Sequence, residues 1–371
     1  MKAHDIALRA PDYVRGIAPY VAGKPIEELA REYGLPVDAI VKLASNENPR
    51  GASPRVAAAI ARAGSDVTRY PDANGFALKA ALAERYAVES EQIVLGNGSD
   101  DILELVSQAF LRPGDHAVYA QHAFVVYRLA TQARGAVGIE VKATPELGHD
   151  LEAMRAAIDA DTRVVFVANP NNPTGTWLPP DTLHAFVRSV PQDVIVVLDE
   201  AYNEYLPPSE QAHSARWLRE SPHLVVSRTF SKAYGLAGLR VGYGLMHASV
   251  ADLLNRVRQP FNVNAVAQAA ALAALEDRSY VEESATLNRQ GLEELGRGVR
   301  ALGLDFVPSH GNFLLVRVGD AGRVYERLLQ QGVIVRPVAN YGLPQHLRVT
   351  TGLPEENRRF LSALAFALES K

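Results

Sequence analysis

The chain has 371 residues, with 38 Lys and Arg against 42 Asp and Glu and a formal net charge of −4. This balance excludes the clustered cationic excess of a nucleic-acid-binding surface. The absence of cysteine excludes disulfides, thiolate metal sites and a thiol nucleophile, while 47% hydrophobic and 22% charged residues describe a soluble globular chain of about two domains. The first residues carry no apolar stretch of secretory type. The longest apolar run, 265–275 interrupted by Gln268, is too short for a bilayer. A cytoplasmic protein without membrane or nucleic-acid partners is expected.

In chain order, a helix is predicted at Pro25–Tyr33. Short β-branched runs then predict seven strands: Ile93–Leu95, Ala117–Ala120, Val137–Val141, Val164–Ala168, Val194–Asp199, Leu224–Ser227 and Val241–Leu245. Helical periodicity separates most of them, as at Asp100–Phe110, Leu151–Ile158 and Pro180–Val190. Apolar strands with helical crossovers predict a mostly parallel sheet covered on both faces. The last two strands have no room for a helix between them, so one is expected to run antiparallel. Beyond Pro260 the pattern predicts a long helical stretch, 264–302, strands at Phe313–Val318 and Gly332–Arg336, and helices near Arg323–Gln331 and Glu355–Leu368. The expected organisation is an α/β domain over 47–262 and a smaller α+β domain made from 1–46 and 263–371.

Four motifs carry chemistry. In the first, Ile93–Leu103, a strand runs through Gly96 and Gly98 into a helix, with Ser99 or Asp100 as the expected N-cap. Free backbone N–H groups at such a helix start attract anions, usually phosphate. The second, Asn-Pro-Asn-Asn-Pro-Thr-Gly at Asn169–Gly175, is a rigid loop after a strand, on the sheet edge where α/β folds bind ligands. Either Asn171 or Asn172 can present an amide there. In the third, Asp199 ends an entirely apolar strand, where a carboxylate needs a positive partner. That partner is a basic side chain or a protonated heteroaromatic nitrogen. Tyr202 follows three residues later and can add a phenolic hydrogen bond, whereas Glu200 is assigned to a surface or supporting network. In the fourth, Ser227–Gly244, the hydroxyls of Thr229 and Ser231 stand just before Lys232, and Arg240 follows. A lysine beside another cation is placed to be a neutral nucleophile, and the hydroxyls with Arg240 make a second anion-binding set.

Together the motifs ask for a ligand with a phosphate, a protonatable ring nitrogen, a phenolic oxygen and an aldehyde. Pyridoxal 5'-phosphate meets all four requirements.

With these motifs in place, the chain resembles the fold-type-I pyridoxal-phosphate aminotransferases, and within them the histidinol-phosphate aminotransferase family. Further matching stretches are Pro19-Tyr20, Gly23-Lys24-Pro25, Leu43–Pro49, Arg69–Asp72, Gly311-Asn312-Phe313, Ile334-Val335-Arg336 and Leu347–Thr350. The resemblance implies a covalent cofactor link and a general base at Lys232, a ring-nitrogen partner at Asp199, and bonds from Tyr202 and Asn172 to the ring oxygen. It implies a phosphate held by Gly98, Ser99 and Asp100 together with Thr229, Ser231 and Arg240, and an aromatic wall at Phe124. Tyr70 would reach the phosphate of a neighbouring subunit, which implies a homodimer with shared sites. Arg336, Arg348, Tyr20 and Asn172 would face the substrate. The reaction implied is amino transfer between L-histidinol phosphate and 2-oxoglutarate, glutamate being the other amino partner. An aromatic amino-acid aminotransferase is the near alternative and a phospho-amino-acid decarboxylase a more distant one. A transcriptional regulator with an aminotransferase-like domain is not expected, because only about 40 residues precede the first matching loop.

Overall fold

The computed structural model describes residues 6–369; residues 1–5 and 370–371 of the expected smaller domain lie outside the described residues. The strands in chain order are β1 (Val41–Lys42), β2 (Ile93–Gly96), β3 (His116–Ala120), β4 (Val137–Val141), β5 (Thr162–Ala168), β6 (Ile195–Asp199) and β7 (Leu224–Thr229). They continue as β8 (Gly242–Met246), β9 (Asp305–Val307), β10 (Phe313–Arg317), β11 (Val333–Ile334), β12 (Arg336–Pro337) and β13 (His346–Thr350).

Seven strands form one sheet in the order β2-β8-β7-β6-β5-β3-β4. All neighbours pair in parallel except β8, which is antiparallel to both β2 and β7. The single reversal falls where the sequence leaves no room for a crossover helix. In the centre, Val196, Val197 and Leu198 of β6 and Val225 and Val226 of β7 have no exposed surface or almost none. Each such side chain contributes about 1.5–3 kcal/mol on burial. Helices such as Ser99–Phe110, Leu151–Ala156 and Pro180–Ser189 supply the crossovers. The parallel strands therefore deliver their carboxyl ends to one edge.

The C-terminal part builds a four-stranded antiparallel sheet, β12-β13-β10-β9, packed with the helices Arg278–Ala301, Ala321–Gln330 and Pro354–Glu369. The N-terminal segment joins it through β1, which pairs in parallel with β11.

Two expectations change in detail. The run Gly332–Arg336 is two short strands, because the chain leaves its pairing with β1 at Ile334 and takes up pairing with β13 at Arg336. The stretch 264–302 is two helices, Ala265–Glu276 and Arg278–Ala301, separated at Asp277, whose side chain accepts from Tyr280 N and caps the second. The first of these helices packs in the core of the seven-stranded sheet through Ala267, Ala270, Ala271, Ala274 and Leu275. We propose a two-domain division with its C-terminal boundary at Asp277 rather than at 262/263.

Candidate active site at the carboxyl edge of the sheet

One cavity is lined by Tyr20, Ser99, Asp100, Phe124, Asn172, Asp199, Tyr202, Thr229, Ser231, Lys232, Arg240, Arg336 and Arg348. Ser99 follows β2, Phe124 follows β3, Asn172 follows β5, Tyr202 follows β6 and Lys232 follows β7. The sheet edge thus gathers residues far apart in sequence, and the C-terminal sheet adds the two arginines from above.

At the first motif the N-cap is Gly98 rather than Ser99 or Asp100, and the helix Ser99–Phe110 begins without a side-chain cap. Its first N–H groups are left for a ligand. Gly98 lines the back of this turn and not the cavity surface. Its φ is +84°, and a Cβ there would lie 2.6 Å from an Arg240 nitrogen. Gly242 is equally tight, since its Cβ would meet Ser99 N at 2.5 Å. Arg240 donates to Ser231 Oγ at 3.2 Å and approaches Asp100 at 3.6 Å, and the Ser231 N–H donates to Thr229 Oγ1 at 3.1 Å. Backbone N–H groups, two hydroxyls and a guanidinium make a cup for a phosphate-sized anion.

Asp199 is 6% exposed, and among the described residues it has no basic side chain in ion-pair contact. The Tyr127 hydroxyl donates to its Oδ2 at 2.8 Å, while Oδ1 is buried and has no hydrogen-bond partner among the described residues. Burial pushes the carboxyl up to about 6, against the Tyr127 hydrogen bond, which lowers it. A buried oxygen left open in this way is costly unless a donor arrives. Glu200 is buried rather than on the surface: it pairs with Arg228, which also reaches Glu204 at 3.3 Å.

Lys232 Nζ donates to Ser45 O at 3.3 Å and lies 5.8 Å from the centre of the Tyr202 ring. Burial chiefly, and then the Arg348 charge, bring its ammonium down to about 8; Arg240 is a smaller contributor. The cation that most affects this lysine is therefore Arg348 and not Arg240. Tyr202 is buried, and its hydroxyl accepts from Asn46 Nδ2 at 2.8 Å, leaving its own proton to donate. Asn46 in turn accepts at Oδ1 from Thr350 Oγ1 at 3.1 Å.

In the second motif the two asparagines divide their work. Asn171 turns away, donating to His122 O at 3.2 Å and Thr174 Oγ1 at 2.8 Å. Asn172 faces the cavity, where its Oδ1 accepts from Arg348 at 2.5 Å and its amide N–H groups stay available. Arg336, 7% exposed, lies 5.7 Å from the Tyr20 ring centre and donates to Val21 O.

Tyr70 is not in this cavity. It is 82% exposed and stacks on Phe261 with ring centres 4.5 Å apart. Tyr127 and Asn46 were not singled out from the sequence. Tyr127 reads as one more apolar position of an amphipathic helix. Asn46 sits in the matching stretch Leu43–Pro49, but nothing local reveals its partner 156 residues away.

A buried lysine with a lowered ammonium pKa, set beside an acid with an open oxygen and an anion cup on one α/β edge, marks the class as pyridoxal-phosphate enzymes. Comparison with known proteins narrows the class. The family model "Aminotransferase class I and II" matches residues 38–364. A histidinol-phosphate aminotransferase of Pseudomonas aeruginosa is 60% identical over 98% of both chains. One of Dechloromonas aromatica is 58% identical over 98% of this chain and 99% of its own. The crystal structure of histidinol-phosphate aminotransferase from Sinorhizobium meliloti in complex with pyridoxal-5'-phosphate superposes with a TM-score of 0.90, at 30% identity over 99% of this chain and 98% of that one. The chain belongs to the class I and II aminotransferase family.

Proposed function

We propose that this aminotransferase moves the amino group between L-histidinol phosphate and 2-oxoglutarate, with pyridoxal 5'-phosphate as its cofactor. The observation that carries the cofactor assignment is the open, buried Asp199 Oδ1 in the cavity that also holds the depressed Lys232 amine. A protonated pyridine nitrogen is the donor this oxygen lacks. The names of the 58–60% identical relatives support the substrate.

When bound, the cofactor supplies a reactive carbonyl and an electron sink. Lys232 Nζ is the group that holds it covalently. Once released, the same nitrogen takes the proton from the substrate carbon that bears the amine. Asp199 keeps the ring nitrogen protonated. The Tyr202 hydroxyl and the Asn172 amide hold the ring oxygen, and Phe124 covers a ring face. Ser99, Asp100, Thr229, Ser231 and Arg240 hold the phosphate. Arg336 and Arg348, with Tyr20 beside them, hold the substrate anion, either the phosphate of histidinol phosphate or a carboxylate of glutamate.

The reading includes a cytoplasmic homodimer with shared sites. Tyr70 supports the dimer, because it is 82% exposed and stacks on Phe261, itself 40% exposed, so two aromatic rings together face outward. Among the described residues no helix is long and apolar enough to cross a membrane.

The test is initial-rate kinetics with histidinol phosphate and 2-oxoglutarate. Glutamate formation with parallel double-reciprocal lines is expected from two half-reactions on one site. Intersecting lines, or no glutamate, overturn the proposal.

A further inference from the structure

Tyr127 has no surface exposed, yet it carries a hydroxyl into the core directly behind the cavity. It sits in the first turn of the helix Val125–Ala133, three residues after Phe124. Its ring is fixed on two sides, stacked on Phe166 at 4.8 Å and 6° and edge-on to Phe124 at 5.9 Å and 89°. Ring packing of this kind needs only a phenylalanine. The hydroxyl has one partner, Asp199 Oδ2 at 2.8 Å.

That single bond divides the carboxylate. One oxygen is occupied from behind, and the other is left buried and open. A carboxylate free to rotate presents no fixed acceptor, whereas one pinned through Oδ2 presents Oδ1 in one direction. We propose that Tyr127 is a positioning residue: its hydroxyl fixes the Asp199 carboxylate so that Oδ1 faces the cofactor ring nitrogen. The proposal rests on the cofactor reading above.

The surroundings of Asp199 leave this task to Tyr127. Asp100 and Glu200 press the carboxyl toward its neutral form, as burial does. The Ala201 N–H is the other group that favours the charge. Tyr202 couples to Asp199 through charge alone, and its hydroxyl is hydrogen-bonded to Asn46 and not to Asp199. Removing the Tyr127 hydroxyl therefore moves Asp199 further above about 6. The neutral acid then gains population around neutral pH, and a neutral acid does not hold a protonated ring nitrogen.

The experiment uses apo wild type, Tyr127→Phe, Asp199→Asn and the double variant. Pyridoxal 5'-phosphate affinity is measured by fluorescence from pH 6 to 9, and the ring nitrogen is followed by NMR with 15N-labelled cofactor. Phenylalanine keeps both ring contacts, so the fold is retained, and thermal melting checks this. The expected result is cofactor binding about 10–100-fold weaker in Tyr127→Phe near pH 6.5, the loss of one hydrogen bond to a charged group. The gap narrows toward pH 8.5, and the nitrogen resonance moves toward the unprotonated position. In the Asp199→Asn background the hydroxyl has no further effect. Equal affinity at every pH, an unmoved nitrogen resonance, or full additivity with Asp199→Asn overturns the positioning role. Wild type that binds no cofactor, or binds it with an unprotonated nitrogen, overturns the cofactor reading and the proposal with it, a result distinct from the other three.

Discussion

Arg336 and Arg348 face each other as cross-strand partners in the β12–β13 pair, 7% and 6% exposed. Like charges directly opposite on neighbouring strands disfavour pairing. Burial and the Arg336 charge both push the Arg348 guanidinium below its usual value, so the pair is electrostatically unfinished. An anion between the two converts repulsion into a two-pronged site. Arg348 is also tied to Asn172 and to Ala44 O, so it links the Asn169–Gly175 loop to the stretch Leu43–Pro49.

Replacing either arginine by methionine keeps most of the volume and removes the charge. The expected loss in kcat/KM is about 100-fold for both histidinol phosphate and glutamate, or ~2.7 kcal/mol. Most of it is expected in KM, with cofactor binding unchanged in Arg336→Met. Steady-state kinetics with both substrates checks this, and a loss below threefold for either contradicts the shared anion site.

Lys232 titrates near 8 because it is buried and faces Arg348. A lysine with a folded value below its ordinary 10.5 is neutral over a wider range of pH. Covalent capture of pyridoxal phosphate by the apo protein is therefore expected to accelerate as pH rises through about 8 and to level off above it. In Arg348→Met the midpoint moves upward, since a cation that lowered it is gone. Stopped-flow absorbance across pH 6.5–10.5 gives both midpoints.

Asp199 carries a stability cost that its role explains. Its folded value, about 6, lies above the ordinary 3.8, so the unfolded chain ionises first as pH rises. The folded state loses stability between these values, and the loss is complete above the upper one. At pH 7 this amounts to at most ~3 kcal/mol. Apo Asp199→Asn, uncharged at this position, is expected to melt higher than apo wild type at pH 7 and to lose that advantage near pH 4. Its turnover falls by at least about 100-fold, as expected when the group holding the ring-nitrogen proton is removed. Melting curves at the two pH values, beside an activity assay, separate the two effects.

Much of this site was legible in the chain because its parts are local. Asp199 ends an apolar strand, Lys232 follows two hydroxyls, and Gly96 and Gly98 mark a turn into a helix, and each is a short-range pattern with a chemical reason. The seven strands were legible for the same reason, and the reversal of β8 followed from a missing crossover. What stayed hidden depends on contacts across the fold. Tyr127 meets Asp199 across 72 residues, and Asn46 meets Tyr202 across 156. The break between β11 and β12 depends on which partner strand each half finds, which the run Gly332–Arg336 does not encode. The helix start at Gly98 in place of Ser99 or Asp100 has one distant element: a Cβ at 98 would meet Arg240, so only glycine fits there.

Tyr70 gives a test of shared sites. Lys232→Ala and Tyr70→Ala are each expected to be strongly impaired alone. Unfolded together and refolded as a mixture, they are expected to recover activity, because in a mixed dimer one site has both residues intact. The yield approaches a quarter of wild type for random pairing. Activity no greater than the sum of the separate variants contradicts a site completed by the neighbouring subunit.

The most direct measurement is a single-turnover comparison. Cofactor-loaded protein is mixed in the absence of oxo acid with histidinol phosphate, phenylalanine, tyrosine or glutamate, and decay of the visible band of the lysine-bound cofactor is followed. The account predicts that histidinol phosphate and glutamate each discharge the band, histidinol phosphate much faster than phenylalanine or tyrosine, and that Lys232→Ala never forms the band. Faster discharge by phenylalanine than by histidinol phosphate contradicts the substrate assignment, and a normal band in Lys232→Ala contradicts the site itself.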